Sequence, residues 1–428
     1  MEYTPAPRLL ESGLALHDVV TAADFPETIL RYRNDRAARS VGLDGLNDSD
    51  WIAHFGRFTP LPGNQPAPLA LRYHGHQFRQ YNPDLGDGRG FLFAQMLDDQ
   101  GRLLDLGTKG SGRTPWSRGG DGRLTLKGGV REVLATAMLE ALGVTTSKSF
   151  SLIETGEALQ RGDEPSPTRS SVLVRLSHSH IRFGTFERLA WLDDRETLAA
   201  LAAFVITNYY PAAQDAAGMF DAVVTASAET AARWMASGFV HGVLNTDNMN
   251  ITGESFDYGP YRFLPHYDPA FTAAYFDHSG LYAYGRQPDT VLWNLNVLAR
   301  CLSLIADQAA LIASLQAYAE RYRRALGLAM CARLHVVPQD DNGGLVRTVF
   351  ETQAQRSDPG SFEAVIHDLW GEVPGYETDG TPRPDATVTL LIDEIEAIWA
   401  HIAGDDDWSA FHARLDQIEA YRQALNLA

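Results

Sequence analysis

The chain has 428 residues, 45% of them hydrophobic, and a formal net charge of −18. That length allows two or three lobes around more than one core, and the apolar content excludes a disordered chain. The charge excludes a nucleic-acid binder that relies on bulk positive charge, while leaving room for a local basic pocket.

Residues 1–80 read as loop-rich, with Pro and aromatic residues scattered through them. The segment 88–106 predicts a hairpin: GRGFLFAQML is one strand, Asp98-Asp99-Gln100-Gly101 is the turn, and RLLDLGTKG is the second strand, ending at Lys109. Residues 110–123 form a glycine-rich loop. Val130, Leu134, Met138 and Leu142 recur at four-residue spacing and predict a helix that stops at Gly143. SVLVRLS, 171–177, reads as a buried strand. From about Glu196 the texture turns helical: ETLAALAAFVITNYY, AETAARWMASGF, DTVLWNLNVLARCLSLI and AALIASLQAYAERYRRALGL follow one another. Residues 335–390 are again loop-rich, and two helices, about 387–403 and 407–426, follow.

The expected fold class is therefore α+β. It is a bilobal, protein-kinase-like arrangement with a strand-rich N-lobe, a helical C-lobe and extra C-terminal helices. The expected division is 1–80 as an extension packed on the core, 81–190 as the N-lobe, 191–330 as the C-lobe, and 331–428 as a divergent helical region.

Cys301 and Cys331, the two cysteines, cannot build a disulfide framework or a multi-cysteine zinc site. Both sit in apolar, helical surroundings and read as inert buried thiols. No apolar run approaches the roughly 18 residues of a membrane span. The N-terminus lacks a basic region followed by an apolar core, so a cytoplasmic location is expected, with no membrane and no nucleic-acid partner.

The most informative stretch is 241–260, HGVLNTDNMNITGESFDYGP. Asp247-Asn248 precedes Asp257-Tyr258-Gly259 by ten residues, the arrangement with which kinase-like folds hold Mg-ATP. One acid handles a proton, while the amide and the second acid hold the metal. Magnesium keeps few protein ligands, so one Asn and one Asp suffice. A polar turn after a helix is the plainer reading, and the order of the residues argues against it.

Lys109 and Glu132, 23 residues apart on a predicted strand and helix, match the ion pair that grips phosphates in kinases. Gly86-Asp87-Gly88-Arg89-Gly90 suits close backbone approach to phosphate, although it also suits ordinary turns. Asp121-Gly122 with Arg175 and Arg182 could clamp an anion; surface salt bridges are an equal alternative. Arg89, Lys109, Arg113, Arg118, Arg123, Lys127 and Arg131 crowd one part of the N-terminal half. His74/His76 and His178/His180 each share a strand face, but no third metal ligand is evident.

These residues resemble the selenoprotein O (YdiU) family, kinase-fold protein adenylyltransferases (AMPylases). The matching runs are RYHGHQF (72–78), NPDLGDGRG (82–90), LGTKGSGRTPWSRGGDGRLTLKGGVRE (106–132), VLVRLSHSHIRFGTFE (172–187), HGVLNTDNMNI and FDYGP. The resemblance implies ATP bound in reverse, with its α-phosphate toward the acceptor. It further implies transfer of AMP to Ser, Thr or Tyr hydroxyls of protein substrates with release of pyrophosphate; some members are similar in using UTP with manganese. By resemblance Asp247 is the proton acceptor, and Asn248 and Asp257 are ligands of Mg²⁺ or Mn²⁺. Gly86, Gly88, Arg89, Lys109, Asp121, Gly122, Arg175, Arg182 and Asp257 contact ATP, and Glu132 is the partner of the lysine. Family members end in a Cys-rich or selenocysteine-bearing tail, whereas no cysteine follows Cys331 here, so redox control through such a tail is not carried over. From about 335 the sequence departs from the family pattern. A conventional kinase-type phosphotransferase and an inactive nucleotide-binding scaffold remain the alternatives.

Overall fold

The computed structural model describes residues 1–427. Its N-terminal half is built on one antiparallel sheet. The first 80 residues, loop-rich by sequence, supply β1 (Thr4–Pro5), β2 (His17–Val19), β3 (Ile29–Arg33) and β4 (Leu69–Leu71). A separate hairpin follows, β5 (Gly75–Gln77) and β6 (Gln80–Asn82). Then come β7 (Leu92–Leu97), β8 (Leu103–Lys109), β9 (Leu124–Thr125), β10 (Lys148–Leu159) and β11 (Thr168–Ser177). The order is β2-β4-β7-β8-β11-β10-β3, with β1 paired to β7 and β9 to β11. A short pair, β12 (Phe239–Val240) with β13 (Arg262–Phe263), lies apart from it.

The predicted β7–β8 hairpin forms because both strands are rich in apolar residues and both are buried. Its turn is fixed by Asp98, whose carboxylate accepts from the Gln100 and Arg102 amides at 3.0 and 2.8 Å. The strand read at 171–177 is the C-terminal part of β11.

The longest strand, β10, went unread. Its sequence, KSFSLIETGEAL, alternates Ser, Thr and Glu with apolar residues, yet it is buried through most of its length. Each polar group has a partner: Trp51 Nε1 donates to Ser151 Oγ at 2.9 Å, Thr155 bonds Ser170, and Glu154 pairs with Arg31 and Arg169.

Three short helices, α1 (Arg8–Glu11), α2 (Asp35–Ser40) and α3 (Asp48–Phe55), accompany the N-terminal strands. Trp51 and Phe55 of α3 pack on one face of the sheet, and Trp51 stacks on Phe150 at 4.8 Å. On the other face lies α4 (Leu126–Ala141), capped by Thr125 Oγ1, which accepts from the Gly128 amide at 3.1 Å. It ends at Gly143, whose φ is +78°.

Beyond β11 the chain is helical: α5 (Phe183–Trp191), α6 (Arg195–Tyr209), α7 (Ala216–Ala236), α8 (Gln287–Leu302) and α9 (Gln308–Leu334). The region read as loop, 335–390, contains α10 (Gly343–Gln353) and α11 (Ser361–Asp368). The chain closes with α12 (Ile392–Asp405) and α13 (Ser409–Leu425). Cys301 and Cys331 are both free and buried, and burial pushes their thiols up to about 12 and about 11. Among the described residues no helix is long and apolar enough to cross a membrane.

The hairpin β5–β6 is unusual. Its two-residue turn, Phe78-Arg79, has φ of +49° and +63°. A turn of this hand normally takes Asn or Gly, and non-glycine residues here cost on the order of 1–2 kcal/mol each. The neighbouring chain must hold it in place.

The C-terminal helices are tied in by a buried ion pair. Arg333 Nη2 donates to both oxygens of Glu363 at 2.7 Å, and the Tyr421 hydroxyl donates to the same carboxylate at 2.7 Å. Removing the carboxylate would leave a buried cation unpaired. Glu363→Ala is expected to cost about 3–5 kcal/mol, read as a lowered urea midpoint. Glu320→Ala, which breaks the exposed Arg323–Glu320 pair, should leave that midpoint unmoved.

Candidate active site

Lys109 is the last residue of β8, and its buried ammonium sits between two carboxylates. It bonds Glu132 Oε1 from α4 and reaches Asp257 Oδ1 at 2.5 Å. The strand–helix pair read from the sequence is thus formed, and it extends to the acid of the 241–260 segment.

Two arginines complete the cluster. Arg175 projects from β11, with Nη1 3.7 Å from Asp257 Oδ1. Arg182 caps α5; its Nη1 donates to the Asp247 carbonyl at 2.8 Å and lies 3.9 Å from Asp257 Oδ2. Burial pushes the Asp257 carboxyl up, but Lys109, Arg175, Arg182 and Arg89 outweigh it and hold the group well below the usual carboxylate range. Asp257 itself adopts φ +66°, a left-handed conformation uncommon for Asp. His241, fully buried, braces this turn: its Nε2 lies 2.9 Å from the Phe256 carbonyl.

Asp247 lies in a one-turn 3₁₀ helix, Thr246–Asn248. Its side chain is buried and Oδ1 has no hydrogen-bond partner. Burial raises its carboxyl to about 7, against the pull of Arg182. Gly75 packs directly on it, since a β-carbon there would lie 3.0 Å from Asp247 Oδ1. Asn248 donates its amide to the Val243 carbonyl at 3.0 Å.

The glycines of 86–90 have a clear steric cause. A β-carbon on Gly86 would meet the Trp116 ring at 2.3 Å, and one on Gly90 would meet the Thr108 carbonyl at 2.0 Å. The glycine-rich loop 110–123 therefore lies over this segment. Thr114 Oγ1 and Ser117 Oγ fasten it by donating to the Asp87 and Gly88 carbonyls, both at 2.5 Å.

One cavity of about 70 Å³ collects Gly88, Arg89, Lys109, Arg175, Arg182 and Asp257. Tyr73, Asp87 and Thr108 share its wall and were not singled out from the sequence as site residues, and His180, weighed only as half of a His-x-His pair, joins them. Each lies inside a motif run quoted above, or beside one that was, so proximity to Arg89, Lys109 and Arg182 was the available signal. Asp121 and Gly122 do not line this cavity. Asp121 pairs with Arg161 at 2.7 Å, and the Gly122 carbonyl accepts from the Gly112 amide at 3.1 Å. Nor do all the clustered cations face it: Arg123 pairs with Glu157, Lys127 with Glu396, and Arg131 donates to the Gly259 and Tyr261 carbonyls. A larger cavity of about 650 Å³ opens between α7 and α9, but it shares no residue with this cluster.

The histidine pairs have separate partners. His76 Nδ1 lies 2.5 Å from Glu187 Oε2, His74 Nδ1 lies 2.6 Å from the Tyr81 hydroxyl, and the His180 amide donates to Asp105. Among the described residues no group of three or more His, Cys, Asp or Glu gathers as a metal site.

Buried polar atoms without partners mark what the cluster can bind. Arg175 Nε and Nη1, Glu132 Oε2 and Asp247 Oδ1 are all of this kind. Unpaired guanidinium donors facing a cavity suit phosphate oxygens. The unpaired carboxylate oxygens belong to Glu132 and Asp247, while Asp257 is engaged by Lys109 and the Asn248 side-chain oxygen is free of the Val243 bond.

Residues 1–369 match the family model described as protein adenylyltransferase SelO. Several proteins named protein nucleotidyltransferase YdiU are similar. That of Gloeobacter violaceus is 45% identical over 458 residues, covering 96% of this chain and 94% of the relative. That of Synechocystis sp. is 42% identical over 476 residues, covering 98% of each. That of Trichormus variabilis is 55% identical over 327 residues, 75% of this chain and 66% of the relative. The family match runs past both ends of the motif-bearing region to position 369, and the Gloeobacter and Synechocystis relatives cover nearly the whole chain, which corrects the expectation that the family pattern is left at about 335.

If the arginines are anion donors, inorganic tripolyphosphate with Mg²⁺ should raise the melting temperature of the protein. Added NaCl should shrink that rise by screening, and Arg175→Met should abolish most of it. An equal rise in wild type and variant, read by differential scanning calorimetry, would remove Arg175 from the anion site.

Proposed function

This chain belongs to the protein adenylyltransferase SelO family, and from that premise we propose that it moves AMP from ATP, or UMP from UTP, onto Ser, Thr or Tyr hydroxyls of proteins. It does so on a kinase-like bilobal scaffold, in which the sheet-based N-terminal half and the helical half beyond it close over the nucleotide. The division at about 80, 190 and 330 is part of this reading.

One observation carries it: Lys109, Arg175 and Arg182 converge on Asp257 in one cavity, and Arg182 also holds the backbone of Asp247. The cations balance phosphate charge, and Glu132 orients the Lys109 ammonium. Arg89, Gly86 and Gly88 lie under the folded glycine loop and border the nucleotide, with Asp121 and Gly122 at the loop's outer end. Mg²⁺ or Mn²⁺ would be held by Asn248 and Asp257 and would neutralise charge on the phosphates. Asp247 takes the hydroxyl proton as the acceptor oxygen bonds to the α-phosphorus. The bond between the α-phosphorus and its bridging oxygen to the β-phosphate breaks, and pyrophosphate leaves with the bond's electron pair.

Incubation with ATP labelled at the α- or the γ-phosphate separates this from phosphoryl transfer. Acceptor protein should take the α-label and gain the mass of one AMP; γ-label alone would make the enzyme a conventional phosphotransferase. Asp247→Ala and Asp257→Ala are expected to lose nearly all transfer, and Lys109→Ala to lose most of it. Undiminished transfer in both aspartate variants would show that these residues are not the active site.

A further inference from the structure

An enzyme that modifies proteins needs a surface that presents the acceptor hydroxyl to its proton acceptor. The β5–β6 hairpin is the element packed on Asp247, through Gly75. It is pinned to the loop that carries Asp247 at two points and to Tyr282 at a third. The His76 amide donates to Thr246 Oγ1 at 2.7 Å, and the Phe78 amide donates to Asn245 Oδ1 at 3.2 Å and to the Tyr282 hydroxyl oxygen at 3.1 Å. Tyr282 in turn donates to Asn245 Oδ1 at 2.6 Å. These bonds hold the left-handed turn Phe78-Arg79 in place.

Outward from that turn runs a band of aromatic rings. On one side Phe78 meets Phe276 at 5.9 Å, and Phe276 meets Tyr275 at 5.1 Å. On the other, His76 meets Trp293 at 5.3 Å and Tyr81 at 5.2 Å, and Tyr81 stacks on Trp191 at 6.4 Å. Tyr275 is 80% exposed, Trp191 60% and Phe276 42%. Large apolar side chains so exposed, gathered around one hairpin, mark an interaction surface.

Resting on the proposed protein nucleotidyltransferase activity, we infer that the β5–β6 hairpin and the Tyr275–Phe276 loop form the docking surface for the acceptor protein. The occupant is an extended segment that carries an apolar or aromatic side chain close to the modified hydroxyl. Continuity selects this occupant: the band begins at the residues bonded to Asn245 and Thr246, so a chain lying on it runs beside the loop that carries Asp247. Tyr and Trp supply broad contact area with few rotatable bonds, as protein-binding surfaces commonly do. Tyr282 and Asn245 are positioning residues that transmit hairpin position to Asp247.

The test uses the full chain, labelled nucleotide, and a synthetic peptide library with one fixed Tyr, Ser or Thr between randomised flanks, with unfolded casein as a second acceptor. Wild type should select apolar or aromatic residues near the hydroxyl. The double variant Tyr275→Ser with Phe276→Ser should lose that preference and raise KM for the best peptide at least about tenfold. Its kcat, melting temperature and nucleotide-induced thermal shift should stay unchanged. Tyr282→Phe should instead lower kcat with KM for the peptide little altered. A flat flank preference in wild type, an unchanged KM in the double variant, or a change in its oligomeric state in place of KM would overturn the docking surface while leaving the transferase reading intact. No α-label in any peptide or in casein would overturn the transferase reading, and the docking surface with it.

Discussion

The site depends on one partly buried carboxylate held among cations. Asp257 is reached by Lys109 from β8, Arg175 from β11 and Arg182 at the start of α5. β8 and β11 are neighbouring central strands of the sheet and α5 opens the helical half, so this charge cluster sits where the two meet. Lys109, Arg175 and Arg182 face Glu132, Asp257 and Asp87, and Arg89 lines the same cavity, four cations against three acids. Burial raises the Asp87 carboxyl, which softens its share of the negative charge.

Glycine has a structural meaning here that the motif alone did not convey. In the sequence, Gly86, Gly88 and Gly90 suggest backbone donors facing phosphate. In the fold, the alpha carbons of Gly86 and Gly90 are crowded by Trp116 and by the Thr108 carbonyl. Their first requirement is the absence of a side chain, so that the loop 110–123 can close down and anchor through Trp116 Nε1 to Asp18 at 3.0 Å. Asp18 belongs to β2, and its partner Arg72 follows β4. The first 80 residues therefore reach the site through the loop's anchor as well as through the sheet.

What could be read from the residues depended on whether periodicity survived. The β7–β8 hairpin, α4, α6, α8 and α9 carry strong apolar patterns and were legible with shifted boundaries, whereas of α7 only the C-terminal part, from Ala228, was read. Lys109, Glu132, Asp247 and Asp257 were legible as candidates because spacing and residue type agreed, and Lys109, Glu132 and Asp257 do come together. β10 was not, because its buried serines and its threonine are satisfied by residues far away in sequence, which no local pattern announces. Strands β1 to β4 are two to five residues long, too short for alternation to register. Helices α10 and α11 were hidden between Gly, Pro and Asp clusters that read as continuous loop. Asp121 drew notice by its place beside Gly122, yet its strongest partner is Arg161, outside every motif considered.

The C-terminal helices act on the same cluster from behind. α13 packs against α4, the helix that carries Glu132. Arg36 joins the two by bonding Glu140 of α4 at 2.5 Å while lying 3.8 Å from Glu419 of α13. Lys127, in the first turn of α4, pairs with Glu396 of α12 at 2.7 Å. At the other end of the sheet, Asp406 beyond α12 receives Arg31 and Arg169, both of which also hold Glu154 of β10. Apolar contacts support these ion pairs, since Ile418, Tyr421 and Leu425 are buried in the core that α4 shares. The position of Glu132 relative to Lys109 is thus set by the packing of α4 against the sheet on one side and α12–α13 on the other. A segment beyond the matched residues 1–369 is then a structural determinant of the lysine's orientation, although it contributes no side chain to the cavity.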